Sequence, residues 1–92
     1  MIQSFGSADT RKLYATGRSR RFAAIITVAT RKLTQLDAAA TMDFLKSPRG
    51  NRLEALKGDR KGQHSIRIND QWRICFRWTD TGPEDVEIVD YH

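Results

Sequence analysis

An α+β fold, helices first and a mainly antiparallel sheet after them, follows from three observations. An apolar stripe of helical period runs from Phe22 to Leu36, the period changes to two residues after Gly50, and turn residues separate the alternating segments. The expected order is an N-terminal strand, two helices, and a twisted meander of about four strands. At 92 residues, one domain spanning 1–92 is expected.

Met1-Ile2-Gln3-Ser4-Phe5 reads as a short strand ended by Gly6. Ser7 or Asp9 is placed to cap a brief helix through Tyr14, stopped by Gly17. In the next helix Phe22, Ile25, Ile26, Ala29, Leu33 and Leu36 form one stripe, while Arg31, Lys32 and Gln35 fall off it and are expected to face water. Asp37 to Thr41 reads as a break, and Met42 and Leu45 as one more turn ended by Pro48 and Gly50. Arg52 to Leu56 is expected as a short strand, and the segment from Gly58 to Gly62 as a loop. Gln63 to Asn69 is the next strand, followed by a tight turn at Asn69-Asp70. In the following strand Trp72, Ile74, Phe76 and Trp78 share one face, and Arg73, Cys75 and Arg77 share the other. Thr79 to Glu84 reads as a turn and Asp85 to Tyr91 as the last strand. The helices should cover the face bearing Ile66, Ile68, Trp72, Ile74 and Phe76, leaving the Arg73 face open.

Charge narrows the function. The formal net charge is +5, and residues 1–62 hold 13 of the 16 Lys and Arg against 5 of the 11 acids. A surface so biased attracts polyanions through counterion release. No apolar run approaches the ~20 residues of a membrane span, and the N-terminus lacks the basic-then-apolar order of a signal peptide, so a cytoplasmic protein is expected. One cysteine, Cys75, forms no internal disulfide and reads as a small buried hydrophobe. Two histidines without metal-ligand spacing argue against a metal site, and Gly58 and Gly62 do not make a phosphate loop.

Polar residues that hairpin order brings toward the open face include Lys57, Arg60, Arg73 and the run Asp90-Tyr91-His92. Cleavage of RNA through its 2′-hydroxyl needs a base, cations around the phosphate, an acid for the leaving oxygen, and in-line geometry. His92 titrates near neutrality, the Arg73 fork fits phosphate oxygens, Lys57 adds a point charge, Glu54 is a candidate base, and Tyr91 can stack on a base or donate a proton. Each also has an ordinary structural use: Glu54 paired with Arg52 or Lys57, Arg73 solvated on its strand, Asp90 capping a turn.

The run Leu56-Lys57-Gly58-Asp59-Arg60, then Gly62, the strand Ser65-Ile66-Arg67 and the stretch Trp72-Arg73-Ile74-Cys75-Phe76 together resemble the core signature of HigB-like toxins of the RelE superfamily. Asp90-Tyr91-His92 is similar to that family's ending, and Met1 to Phe5 to its first strand, so the resemblance covers nearly the whole chain. It implies a RelE-like fold and a ribosome-dependent endoribonuclease that cuts mRNA in the ribosomal A site, inhibits translation, and uses no metal or cofactor. It further implies neutralisation by a HigA-like helix-turn-helix antitoxin, with DNA contacted only through that partner. By position Lys57 and Arg73 match the residues that hold the scissile phosphate. Asp90, Tyr91 and His92 match the terminal active-site residues, with His92 transferring a proton. Arg52, Arg60 and Lys61 are expected at the RNA-binding rim. Glu54 departs from the pattern, standing where the family often has histidine, although other RelE-like toxins use a glutamate as base. That departure motivates the alternative of a non-catalytic protein of the same fold that binds the ribosome or the antitoxin. On the catalytic reading, Arg73→Ala abolishes activity with the fold intact.

Overall fold

The computed structural model describes residues 1–46 and 49–90. Helix α1 spans Ala8–Thr16 and α2 Ile26–Ala38; the strands are β1 (Glu54–Ala55), β2 (His64–Arg67), β3 (Trp72–Thr79) and β4 (Gly82–Asp90). The four strands form an antiparallel sheet in sequence order, and the helices lie on one face of it. Ser7 caps α1, its hydroxyl accepting from the Thr10 N–H at 3.2 Å, so Asp9 sits in the first turn rather than at the cap. Gly17 ends the helix with φ of 71°, the left-handed conformation glycine adopts without strain.

The stripe from Phe22 to Leu36 is buried as expected apart from the partly buried Ile26, but its first part is not α-helical: Phe22 precedes a short 3-10 turn at Ala23–Ile25 that leads into α2. Phe22 meets the edge of Trp72 with ring centroids 5.3 Å apart, a contact worth about 0.5–1.5 kcal/mol beyond its area. Leu33, Leu36, Ile66, Ile74, Phe76, Val86 and Ile88 complete the layer between helices and sheet. Lys32 corrects the expectation that it faces water. It is only 7% exposed, because Met42–Lys46 and Arg49–Asn51, both 3-10 turns, fold back so that Asn51 meets it. Of the residues expected to end this turn, Pro48 lies outside the described residues.

The first strand is shorter than expected, and so is β1. The N-terminal segment runs parallel to β4, bridging Phe5 to Val86, with Gln3 N–H donating to the Pro83 carbonyl at 2.7 Å and Gly6 N–H to the Val86 carbonyl at 2.8 Å. Between Asn69 and Trp72 the turn is closed by Asn69 Oδ1, which accepts from the N–H groups of Gln71 and Trp72. The second turn is tighter than Thr79 to Glu84. Thr79 already pairs with Gly82, so Gly82, Pro83 and Glu84 belong to β4. A β-bulge accounts for this. Three residues of β3, from Cys75 to Arg77, face four of β4, from Glu87 to Glu84, and Asp85 takes the extra position with φ of 53°.

Asp37 ties this N-terminal layer together, its two oxygens accepting from the Ile2 N–H and the Tyr14 hydroxyl, each at 2.7 Å. Burial opposes ionisation of Asp37, but these hydrogen bonds and the N-terminal ammonium outweigh it and hold the carboxyl below its usual value. A depressed folded value means the stabilisation is whole above the unfolded carboxylate value, about 4, and is lost as pH falls through the folded one. Asp37→Asn is therefore expected to lower Tm at neutral pH and to flatten the loss of Tm below about pH 4, as scanning calorimetry across pH would show.

Candidate active site

The register of the sheet fixes which side chains share the face away from the helices. Arg67, Arg73 and Val89 lie opposite one another in one row; Glu54, Ser65, Cys75 and Glu87 lie in the next. This face is not open around Arg73, which corrects the expectation. Arg73 is 9% exposed, and Ser65 and Cys75 are fully buried. Leu56 is buried too, apart from the main core. The Arg52 carbonyl and the Glu54 side chain, at and just before β1, supply part of this cover.

Arg73 is held from two sides. Its Nε donates to Ser65 Oγ at 2.7 Å, and Nη2 donates to the Arg52 carbonyl at 2.7 Å and the Ser65 carbonyl at 3.4 Å. Nη2 also lies 3.7 Å from Glu54 Oε1, whose side chain is half exposed. Glu54 thus pairs with the arginine rather than with Arg52 or Lys57. Arg52 contributes its carbonyl while its own side chain points to an exposed position, and its φ of 45° is in the left-handed region. Arg60 is engaged at the other end of the second row, with Nη2 3.3 Å from Glu87 Oε1 and Nη1 3.2 Å from Gln63 Oε1. The Cys75 thiol sits among these charges. Burial pushes its pKa up, Arg60 and Arg73 oppose that, and Glu87 and Glu54 add to it, which leaves an unreactive thiol.

Lys57 and Lys61 are exposed on the segment joining β1 to β2, flanking the 3-10 turn Gly58–Arg60. Gly62, at φ of 92°, lets the Arg77 side chain lie against the chain; a Cβ there would meet Nη1 at 2.8 Å. Asp90 pairs with Trp72 in register, so it stands on the helix side of the sheet, opposite to the Arg73 face, and accepts from Gln71 Nε2 at 3.1 Å. Tyr91 and His92 lie outside the described residues. The structure therefore brings together Arg73, Glu54 and the Arg52 backbone, with Arg60 further along the same face. Ser65 was not singled out by its sequence: alternation puts it on this face, but nothing local marks its hydroxyl as the partner of an arginine eight residues on. Among the described residues no group of three or more His, Cys, Asp or Glu is placed to hold a metal, and no helix is long and apolar enough to cross a membrane.

Two helices over a four-stranded antiparallel sheet, with an N-terminal segment beside the last strand, is the RelE-like toxin fold. A mutant of YafQ from E. coli superposes with a TM-score of 0.62 at 17% identity, over 98% of this chain and 91% of that one. The YoeB–YefM complex from Staphylococcus aureus gives 0.59 at 19% identity, over 100% and 98%. The family model described as "RelE-like toxin of type II toxin-antitoxin system HigB" matches residues 3–92, so the chain belongs to the HigB-like toxin family. Toxin HigB-1 of Vibrio cholerae serotype O1 is 52% identical over 50 residues, 54% of this chain. That match spans about half, 53%, of the curated relative's length.

Proposed function

We propose that the chain is, as one domain, a ribosome-dependent endoribonuclease that cuts mRNA in the ribosomal A site and so inhibits translation. The observation that carries this reading is the guanidinium of Arg73, fixed by Ser65 and the Arg52 carbonyl and set 3.7 Å from the half-exposed Glu54 carboxylate. A preoriented cation beside a carboxylate supplies two of the needs of 2′-hydroxyl attack: charge stabilisation at the phosphate and a base for the proton. In this mechanism Arg73 holds a non-bridging phosphate oxygen, Glu54 takes the 2′-hydroxyl proton, and the exposed Lys57 adds charge. His92, by the family resemblance, returns a proton to the 5′ leaving oxygen, and Tyr91 stacks on a base. Asp90 holds the end of β4 against the Asn69–Trp72 turn. Arg52 and Lys61 contact RNA at the rim, and Arg60 joins them through the loop its ion pair anchors. No metal or other cofactor enters these steps.

The reaction takes place in the cytoplasm on ribosomes carrying mRNA. A HigA-like helix-turn-helix antitoxin neutralises the toxin and makes any DNA contact on behalf of the pair.

A second reading, a non-catalytic protein of this fold that binds ribosome or antitoxin, is favoured by the burial of Arg73 and by Glu54 where the family often carries histidine. Mapping 5′ ends on a defined message bound to purified ribosomes separates the two. The catalytic reading gives cuts at A-site codons that require ribosomes, and Glu54→Gln slows them about 100-fold or more. Absence of cuts from folded wild-type protein establishes the second reading instead.

A further inference from the structure

We infer that Lys32 and Asn51 form a positioning device that keeps the Arg73 guanidinium in place through the backbone of Arg52. The inference rests on the reading of Arg73 as the phosphate-holding group. Asn51 is fully buried, and its amide is fully used: Oδ1 accepts from Lys32 Nζ, and Nδ2 donates to the Leu45 carbonyl at 3.1 Å and to Gln35 Oε1 at 3.5 Å. Lys32 is a cation taken out of water with an amide, not a carboxylate, as its partner. Burial, then the charges of Arg31 and Arg67, pull its pKa down. Well-packed apolar side chains in place of both Lys32 and Asn51 would hold this helix flank at least as well, so packing alone gives no reason for the polar pair.

The next residue supplies the reason. Arg52 follows Asn51 directly and holds φ of 45°, a conformation a branched or long side chain keeps only when its surroundings impose it. Its carbonyl is the acceptor 2.7 Å from Arg73 Nη2. Ser65 on β2 supplies two further acceptors for Arg73, its Oγ and its carbonyl. The guanidinium is thus clamped between β2 and the Asn51–Arg52 segment, and Lys32 fixes the second jaw to α2. Loss of that jaw lets the guanidinium turn about its Nε bonds, and a shift near 1 Å at a reacting phosphate costs about 100-fold in rate.

Lys32→Met tests this in the full chain. It keeps volume, removes the Asn51 partner, and touches no residue of the proposed chemistry. Two readouts are taken: single-turnover cleavage on programmed ribosomes, and the Arg73 Nε–H NMR signal of the free protein, assigned by its absence in Arg73→Lys. The expected result is a folded protein with a Tm modestly lowered by the unpaired Asn51 Oδ1, an unchanged KM for ribosomes, a rate about 10- to 100-fold lower, and a shifted or broadened Arg73 signal. Asn51→Asp is the second variant, in case Lys32→Met does not fold. It gives Lys32 a counter-charge, but it cannot donate to the Leu45 carbonyl, and the same losses are expected. A rate within about twofold of wild type with an unmoved Arg73 signal in a folded variant overturns the inference. A moved signal with unchanged rate, in a background where Arg73→Lys is itself fully active, supports the clamp and overturns the role of Arg73 instead.

Discussion

Exchanging Arg73 for lysine is expected to lower single-turnover cleavage by about 100-fold or more while the protein stays folded. Lysine keeps the charge but reaches one acceptor, not the Ser65 hydroxyl and the Arg52 carbonyl together, so the cation is neither planar nor fixed. Stability falls by about 1–3 kcal/mol from the acceptor left without a donor, within the margin of a small domain. Alanine is a poorer probe than the sequence implies. Its expected benign effect on the fold assumed a solvated arginine. Burial of Arg73 makes the truncation leave Ser65 Oγ and the Arg52 carbonyl unpaired, about 2–4 kcal/mol. The lost pair with half-exposed Glu54 adds little to that. Circular dichroism and Tm beside the cleavage assay separate loss of chemistry from loss of fold.

The second large effect belongs to His92→Gln. A glutamine keeps polarity but cannot exchange a proton, so the rate should fall about 100- to 10,000-fold with ribosome affinity retained. The remaining activity should also lose the limb of its pH profile near neutrality. Single-turnover rates from pH 5 to 9, with binding measured by co-sedimentation, check both. A variant as fast as wild type removes His92 from the reaction and leaves proton delivery to Tyr91 or water.

What could be read from the residues alone was what local period decides. The Phe22–Leu36 stripe and the alternation from Ile66 to Phe76 named the layer between helices and sheet because side-chain direction follows the backbone period. The same alternation put Arg73 and Ser65 on the far face. It did not reveal that the Arg52 carbonyl and the Glu54 side chain close on Arg73 from beside β2, since such cover is a tertiary event with no local mark. Lys32 was missed for the same reason: it lies off the stripe, and only the return of the Met42–Asn51 segment encloses it. Asp85 hid the true start of β4, because a bulge shifts the two-residue pattern and aspartate tolerates the left-handed conformation without glycine's signal. Hairpin order and side-chain chemistry drew Tyr91 and His92 into the candidate set, and the family resemblance matched them to terminal active-site positions, which no periodicity does.

The pairing of the Gln3–Gly6 segment with β4 joins residues some 80 positions apart, as in the bond from Asp85 N–H to Ser4 Oγ. During synthesis, then, the opening residues and the two helices emerge with no sheet to cover them, and β4 must clear the ribosome's exit tunnel before the layers can close. Contacts of such long sequence separation form slowly and late. A nascent chain therefore stays unassembled until β4 has emerged and can take the opening segment and the helices against the sheet.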